Sequence, residues 1–155
     1  MQRIFATIYL IGALMVFGGA AAAQNLDMQL CDQSIAKVAK STFVPRSVLV
    51  KIARLESGRR VQGQSVSWPW TLNNGGAGYF FASKSGASEK LQKLMAAGKK
   101  NVDVGCMQLN IRWHARYFNS ISAMLSPFEN VSYAAKYLEQ LYRETGSWEK
   151  TVKYY

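Results

Sequence analysis

Between Cys31 and Lys40 the apolar residues Ile35, Val38 and Ala39 recur at helical spacing, and Phe43-Val44-Pro45 closes that element and opens the next. With Pro45 at the first helical position, Val48, Leu49, Ile52 and Leu55 make one apolar face of a second helix, which reaches Glu56-Ser57 and stops at Gly58. The pattern then changes. Gly63, Pro69, Asn73-Asn74-Gly75-Gly76 and Gly78 break helix, while Val66, Trp68, Trp70, Leu72, Tyr79, Phe80 and Phe81 favour extended backbone, so a small hairpin or ordered loop is expected. Ser85 to Gly98 returns to helix with Leu91, Leu94 and Met95 on one face. Pro127 to Thr145 carries Val131, Ala134, Ala135, Leu138 and Leu141 at the same spacing up to a stop at Gly146. Without internal repeats, this predicts a mainly α chain of α+β character: a single helical domain with a minor extended or hairpin segment.

The N-terminal end has another pattern. Arg3 precedes an unbroken apolar and small-residue run from Ile4 to Phe17, and Ala21-Ala22-Ala23 supplies a small-residue cleavage site, so residues 1–23 read as a signal peptide and 24–155 as the domain. No later apolar stretch is long enough to span a bilayer, which places the expected site of action outside the cytoplasm, in the periplasm or secreted. In that oxidising setting the only two thiols, Cys31 and Cys106, read as one long-range disulfide contributing roughly a few kcal/mol at most; the alternative is two unpaired buried cysteines. No Cys or His cluster accompanies them, so no metal site is expected. The formal charge of +10 falls by one when Arg3 leaves with the leader. Such a charge favours an anionic partner, with the carboxylate-bearing peptide stems of cell-wall polymer and anionic lipid ahead of nucleic acid, or it only keeps the surface soluble.

Glu56 is the residue best placed for chemistry. It stands at the margin of the apolar face and at the C-terminal end of its helix, where partial desolvation and unpaired carbonyls both raise a carboxyl pKa. A carboxylic acid still protonated near neutrality can protonate the leaving oxygen of a glycosidic bond. Position alone favours the plainer reading, a surface glutamate at a helix end.

Its company makes it specific. Leu55-Glu56-Ser57-Gly58, Gly105-Cys106-Met107-Gln108-Leu109-Asn110, Asn130-Val131 leading to Ala135-Lys136-Tyr137-Leu138, and Val152-Lys153-Tyr154-Tyr155 occur in that order. Together they resemble the soluble lytic transglycosylase family, whose fold is like that of goose-type lysozyme, over nearly all of the chain after the leader. The resemblance implies that Glu56 is the catalytic acid/base, that Ser57 is a hydrogen-bonding partner in the cleft, and that Gln108 and Asn110 meet sugar. It also implies that Met107 packs beneath the saccharide and that Tyr137 and Tyr155 flank Glu56. Plain structural roles stay open for several: capping for Ser57, and core packing for Met107 and Tyr137.

The segment from Trp68 to Phe80 is similar to an insertion found in the subgroup of the family associated with secretion systems, conjugation and flagella. Exposed aromatic faces there would stack on pyranose rings and Asn73 would pair with hydroxyl or N-acetyl groups, unless Trp68 and Phe81 form a second small core. His114 reads as structural or surface, and Asp103 as a turn or capping residue. The implied activity cleaves the MurNAc-GlcNAc β-1,4 bond of peptidoglycan glycan strands and closes a 1,6-anhydromuramoyl product, with no metal or organic cofactor. The alternatives are a lysozyme-type hydrolase using Asp103, and a non-catalytic wall-binding protein of an envelope assembly. The family's chains run on past the tyrosine matched by Tyr155, so a domain truncated at its C-terminal end is expected.

Overall fold

Pro45 has φ −57° and ψ 134°, an extended conformation that caps rather than begins a helix, and the chain turns helical at Arg46. The computed structural model describes residues 19–155, with side chains from residue 26 onward; the expected signal peptide lies largely outside the described residues. Helix α1 covers Gly19–Val38, and so begins well before Cys31, the start expected from the periodicity. Helix α2 covers Arg46–Ser57 and buries Leu49, Ile52, Ala53 and Ser57. Leu55, expected on that face, is instead 69% exposed. The buried stripe is rotated because Ala53, whose small side chain gives a weak signal in a hydrophobicity pattern, takes the inner position.

Gly58 ends α2 for a reason other than the expected one. Its φ of −65° is open to any residue, but a Cβ there would come within 2.1 Å of the Arg54 carbonyl oxygen. The glycine therefore allows a strand to leave directly from the last helical turn. That strand, β1 (Gly58–Val61), pairs antiparallel with β2 (Gln64–Ser67).

More sheet forms than one hairpin. Strands β3 (Thr71–Asn74), β4 (Ala77–Phe80), β5 (Val102–Val104) and β6 (Leu109–Asn110) make a second antiparallel sheet in the order β4-β3-β5-β6. Its central pairing sets Asn73 opposite Asp103, and Asp103 in turn opposite Asn110. Helix α3 (Lys84–Ala96) lies between β4 and β5, with Leu91 and Leu94 buried, whereas Met95 is exposed. Ser83 caps it through its side chain, which accepts from the Gly86 N–H.

A short helix α4 (Ile111–His114) and two single-turn 3₁₀ segments lead to α5 (Pro127–Thr145). Helix α5 has the expected bounds, with Pro127 in its first turn and Gly146 left-handed at φ 67° past its end. A final helix α6 covers Trp148–Tyr154.

Helices α1, α2 and α5 contribute to one apolar core, joined by Trp68, Trp70, Leu72, Val104, Met107 and Met124. Cys31 and Cys106 form a disulfide inside it, both with no exposure. Among the described residues no helix is long and apolar enough to cross a membrane.

Candidate active site

The site is built on the turn between β5 and β6. Gly105 adopts φ 78° and Gln108 φ 44°, and the Gln108 N–H closes the turn on the Gly105 carbonyl at 3.1 Å. A side chain at Gly105 would be strained by its φ and would also meet the Asn130 amide nitrogen at 2.8 Å. Fully buried Asn130 on α5 fills that space. Its amide donates to the Val104 and Met124 carbonyls at 2.9 and 2.8 Å, and its oxygen accepts from the Met107 N–H at 2.9 Å. An amide is needed here because only it can donate twice and accept once at the same point.

Two further ties come from other elements. Ser57 is 1% exposed, and its Oγ lies 2.7 Å from the Cys106 carbonyl and 3.0 Å from that of Ala53. The Tyr155 hydroxyl donates to the Met107 carbonyl at 2.9 Å. The turn is thus fixed to α2, to α5 and to Tyr155, with Cys106 anchoring it to α1.

Above this floor opens a cleft of about 780 Å³ that brings together Glu56, Asp103, Gln108, Asn110, Tyr137 and Tyr155. Gln108 uses its amide nitrogen on the Gly105 carbonyl at 3.0 Å, which leaves its amide oxygen available to a ligand. Asn110 donates to Asp103 at 2.7 Å and to Asn101 at 2.8 Å, while its oxygen caps α4. It therefore holds Asp103 in place as well as bordering the cleft.

Three of the residues expected at the site are engaged within the protein. Ser57 is enclosed and bonded to backbone, Met107 is a core residue with no exposure, and the Asn73 oxygen accepts from Gly76 N–H in the β3–β4 turn. None of the three lines the cleft. Within the aromatic segment Trp68 and Trp70 are only 2% and 7% exposed, whereas Phe80 is 46% exposed, and the Trp68 indole donates to the Phe81 carbonyl. The two indoles serve the sheet's packing.

Conversely, Asp103 stands on a strand inside the cleft rather than at a turn. His114 faces the cleft too, with Nδ1 at 3.0 Å from the Tyr133 hydroxyl and its ring 5.1 Å from that of Tyr137. Sequence reasoning also missed Trp113, Arg116, Tyr117, Tyr133, Lys136 and Gln140 in the wall. A usable signal existed on α5: Tyr133, Lys136, Tyr137 and Gln140 follow i, i+3, i+4, i+7 spacing on the side away from Val131, Ala134, Ala135 and Leu138.

The electrostatics shift the glutamate toward retaining its proton to higher pH than a free carboxyl would. Glu56 reaches the open cleft, yet enough protein surrounds its carboxyl that burial raises its pKa, and the facing Asp103 raises it further. Burial also raises Asp103, while its hydrogen bond from Asn110 opposes that shift. His114 is pushed down by burial and then by Arg116, which favours a neutral imidazole. Tyr155 as a residue is half-buried, its hydroxyl end is enclosed, and burial together with Glu56 holds its pKa well above 10.0. It stays a neutral donor to Met107. Among the described residues no group of three His, Cys, Asp or Glu side chains could hold a metal ion.

A mainly helical domain with a small antiparallel sheet, whose cleft presents a glutamate of raised pKa at a helix end, is lysozyme-like. The chain belongs to the transglycosylase SLT domain family, whose model matches residues 33–155, and the activity of that family is directed at peptidoglycan. Searches of curated proteins and of solved structures gave no match.

Proposed function

We infer that the protein is a peptidoglycan lytic transglycosylase that cleaves the β-1,4 bond between MurNAc and GlcNAc. The observation that carries this is the Glu56 carboxyl at the end of α2, in the cleft, held toward its protonated form by burial and by Asp103. The protonated carboxyl gives its proton to the glycosidic oxygen as the bond from C1 breaks. The resulting carboxylate takes the proton of the muramoyl C6 hydroxyl, whose oxygen bonds to C1 and closes the 1,6-anhydro ring. Proton and bonds balance without water or a cofactor. Gln108, Asn110, Tyr137 and Tyr155 border the place where the sugar must lie, which supports roles in binding.

Asp103 favours a second reading. Two carboxyl groups in one cleft are what a lysozyme-type hydrolase needs, one as acid and one to assist water or form the covalent intermediate. Mass spectrometry of digested peptidoglycan separates the two, because the anhydro product is one water lighter than the hydrolytic one. Run beside Glu56→Gln, the same assay tests catalysis itself: product that persists in the variant would overturn the assignment of Glu56.

The proposed place of action is the bacterial envelope outside the cytoplasm, supported by the leader-like N-terminal pattern and the disulfide. Service to an envelope-spanning secretion, conjugation or flagellar assembly is supported by the resemblance of the Trp68–Phe80 segment.

A further inference from the structure

Positive charge is unevenly placed along the chain. Of its 19 Lys and Arg and 9 acids, residues 58–102 hold seven and one: Arg59 and Arg60 on β1 and five lysines from Lys84 to Lys100, against Glu89. Under a third of the chain thus carries +6 of the formal +10. None of the seven cations takes part in the salt bridges among the described residues. Two of them flank strand β4, which ends its sheet and has Ala77, Gly78 and Phe80 exposed. Neighbouring side chains of a strand point to opposite faces, and here each face meets a cation. The Arg59 guanidinium lies 5.0 Å from the centre of the Phe80 ring, and the Lys90 ammonium 4.6 Å from that of Tyr79. Lys93 follows Lys90 one turn along α3, and Lys99 and Lys100 are exposed just past the helix. An uncharged edge, 46% exposed at Phe80, is therefore rimmed by cations on both faces.

We propose that the β4 edge and its flanking cations dock on the surface of an anionic phospholipid bilayer. Cations are drawn to the negative potential of such a surface, and an aromatic ring at headgroup level adds apolar contact. Ala77, Gly78 and Phe80 carry no side-chain hydrogen-bonding group for a saccharide, whereas phosphate headgroups answer the cations on both faces of the edge. The sheet sets this contact away from the cleft. Asp103, Leu109 and Asn110, on β5 and β6, border the cleft, and three strand spacings, roughly 14 Å, separate β4 from β6. No residue of β1, β4 or α3 lines the cleft, so a docked molecule keeps it open to a glycan strand. Docking of this kind is independent of which bond the cleft cleaves.

The test measures partition of the full chain onto vesicles of phosphatidylglycerol mixed with phosphatidylcholine, and onto vesicles of phosphatidylcholine alone, at about 0.1 M salt. The apolar run from Ile4 to Phe17 adds alike to both, so their ratio isolates charge. Wild-type protein should favour the anionic vesicles by about a hundredfold. Lys90→Gln with Lys93→Gln should reduce that ratio about twentyfold, at about fivefold for each cation. Lys150→Gln with Lys153→Gln removes an equal charge from α6 and should change it by less than about twofold. Phe80→Ser should weaken binding to anionic vesicles by about fivefold. Hydrogen exchange on the unaltered protein then locates the contact: amides of β4 and α3 should slow on anionic vesicles, and those of α5 should not. A ratio of one overturns the proposal, and so does unchanged binding of Phe80→Ser. An equal loss in the α6 pair overturns it too, since attraction then follows net charge alone. Protection confined to the apolar N-terminal run has the same force. Protection of β4 by soluble polyglutamate but not by vesicles would overturn it in favour of an acidic protein segment.

Discussion

Ser57 Oγ lies 2.7 Å from the carbonyl oxygen of Cys106, so the residue next to Glu56 is tied directly to the turn that carries Gln108. Tyr155 and Asn130 bond the adjacent residue, Met107, from two other directions. The carboxyl group and the cleft floor are therefore parts of one cross-tied unit rather than of two independent elements. Such pre-positioning matters because hydrogen-bonding groups already in place need not reorganise as charge develops.

Glu56→Gln should reduce turnover by roughly two to four orders of magnitude, the usual contribution of a general acid/base. It should also change stability with a definite pH dependence. Because the folded-state pKa of Glu56 is raised above 4.5, its favourable contribution is complete below that value and is lost as pH rises through the raised one. Glutamine removes this loss. The variant should unfold at a higher temperature than wild type near neutral pH, and the two should converge below pH 4.5. Thermal melts at both pH values check this; a difference independent of pH would exclude titration of Glu56 as its source.

Asp103→Asn keeps an acceptor for Asn110 while removing the charge that helps raise Glu56. The loss of kcat/KM on the alkaline side, set by deprotonation of Glu56, should then begin at lower pH. For a transglycosylase, turnover at acidic pH should survive the substitution, and the product should remain the anhydro sugar. Collapse by orders of magnitude at every pH would instead mark Asp103 as the second catalytic carboxylate of a hydrolase.

Much of the helical frame was legible in the sequence, because a long amphipathic stretch announces itself. Helix α5 shows both signals: five apolar residues at helical spacing, and a glycine whose left-handed φ ends it. The sheet was harder, since strands of two to four residues carry too few alternations to distinguish from loop. Asp103 was misplaced for that reason, its neighbours Val102 and Val104 both being buried. Motif order, which marks what lies in sequence near the site, points to Glu56, Gln108, Tyr137 and Tyr155, and all four line the one cleft. Motif order could not separate Gln108 in the cleft from Met107 beneath it, because a left-handed turn decides which of two neighbours faces out.

Gly58→Ala tests the junction between α2 and β1. The added Cβ would overlap the Arg54 carbonyl, which is backbone and cannot swing aside. The expected loss is about 2 kcal/mol in urea unfolding, accompanied by reduced turnover as Glu56 shifts with the helix end. Unaltered stability would mean that the strand can leave the helix by another path.

Asn130→Ala removes three buried hydrogen bonds and leaves the Met107 N–H without its side-chain acceptor. A loss of about 3 kcal/mol or more is expected from unfolding measurements. Turnover of the folded fraction should fall too, since the turn carrying Gln108 is no longer held from α5. A variant with normal stability would show that this asparagine does not clamp the floor.

Reduction of the disulfide should be felt both in stability and in the cleft. Cys31 and Cys106 are 75 residues apart, and opening a loop of that size releases chain entropy in the unfolded state worth about 4 kcal/mol. Because both cysteines are fully buried, reduction should require partial unfolding and proceed slowly in native buffer. Cys106 is also the residue whose carbonyl receives the Ser57 hydroxyl, so loss of the bridge loosens the floor beside Glu56. Cys31→Ala with Cys106→Ala should therefore lower the urea midpoint and also lower turnover under conditions where the variant is still folded. Equal midpoints for variant and wild type, both measured without reductant, would contradict the bridge as a source of stability.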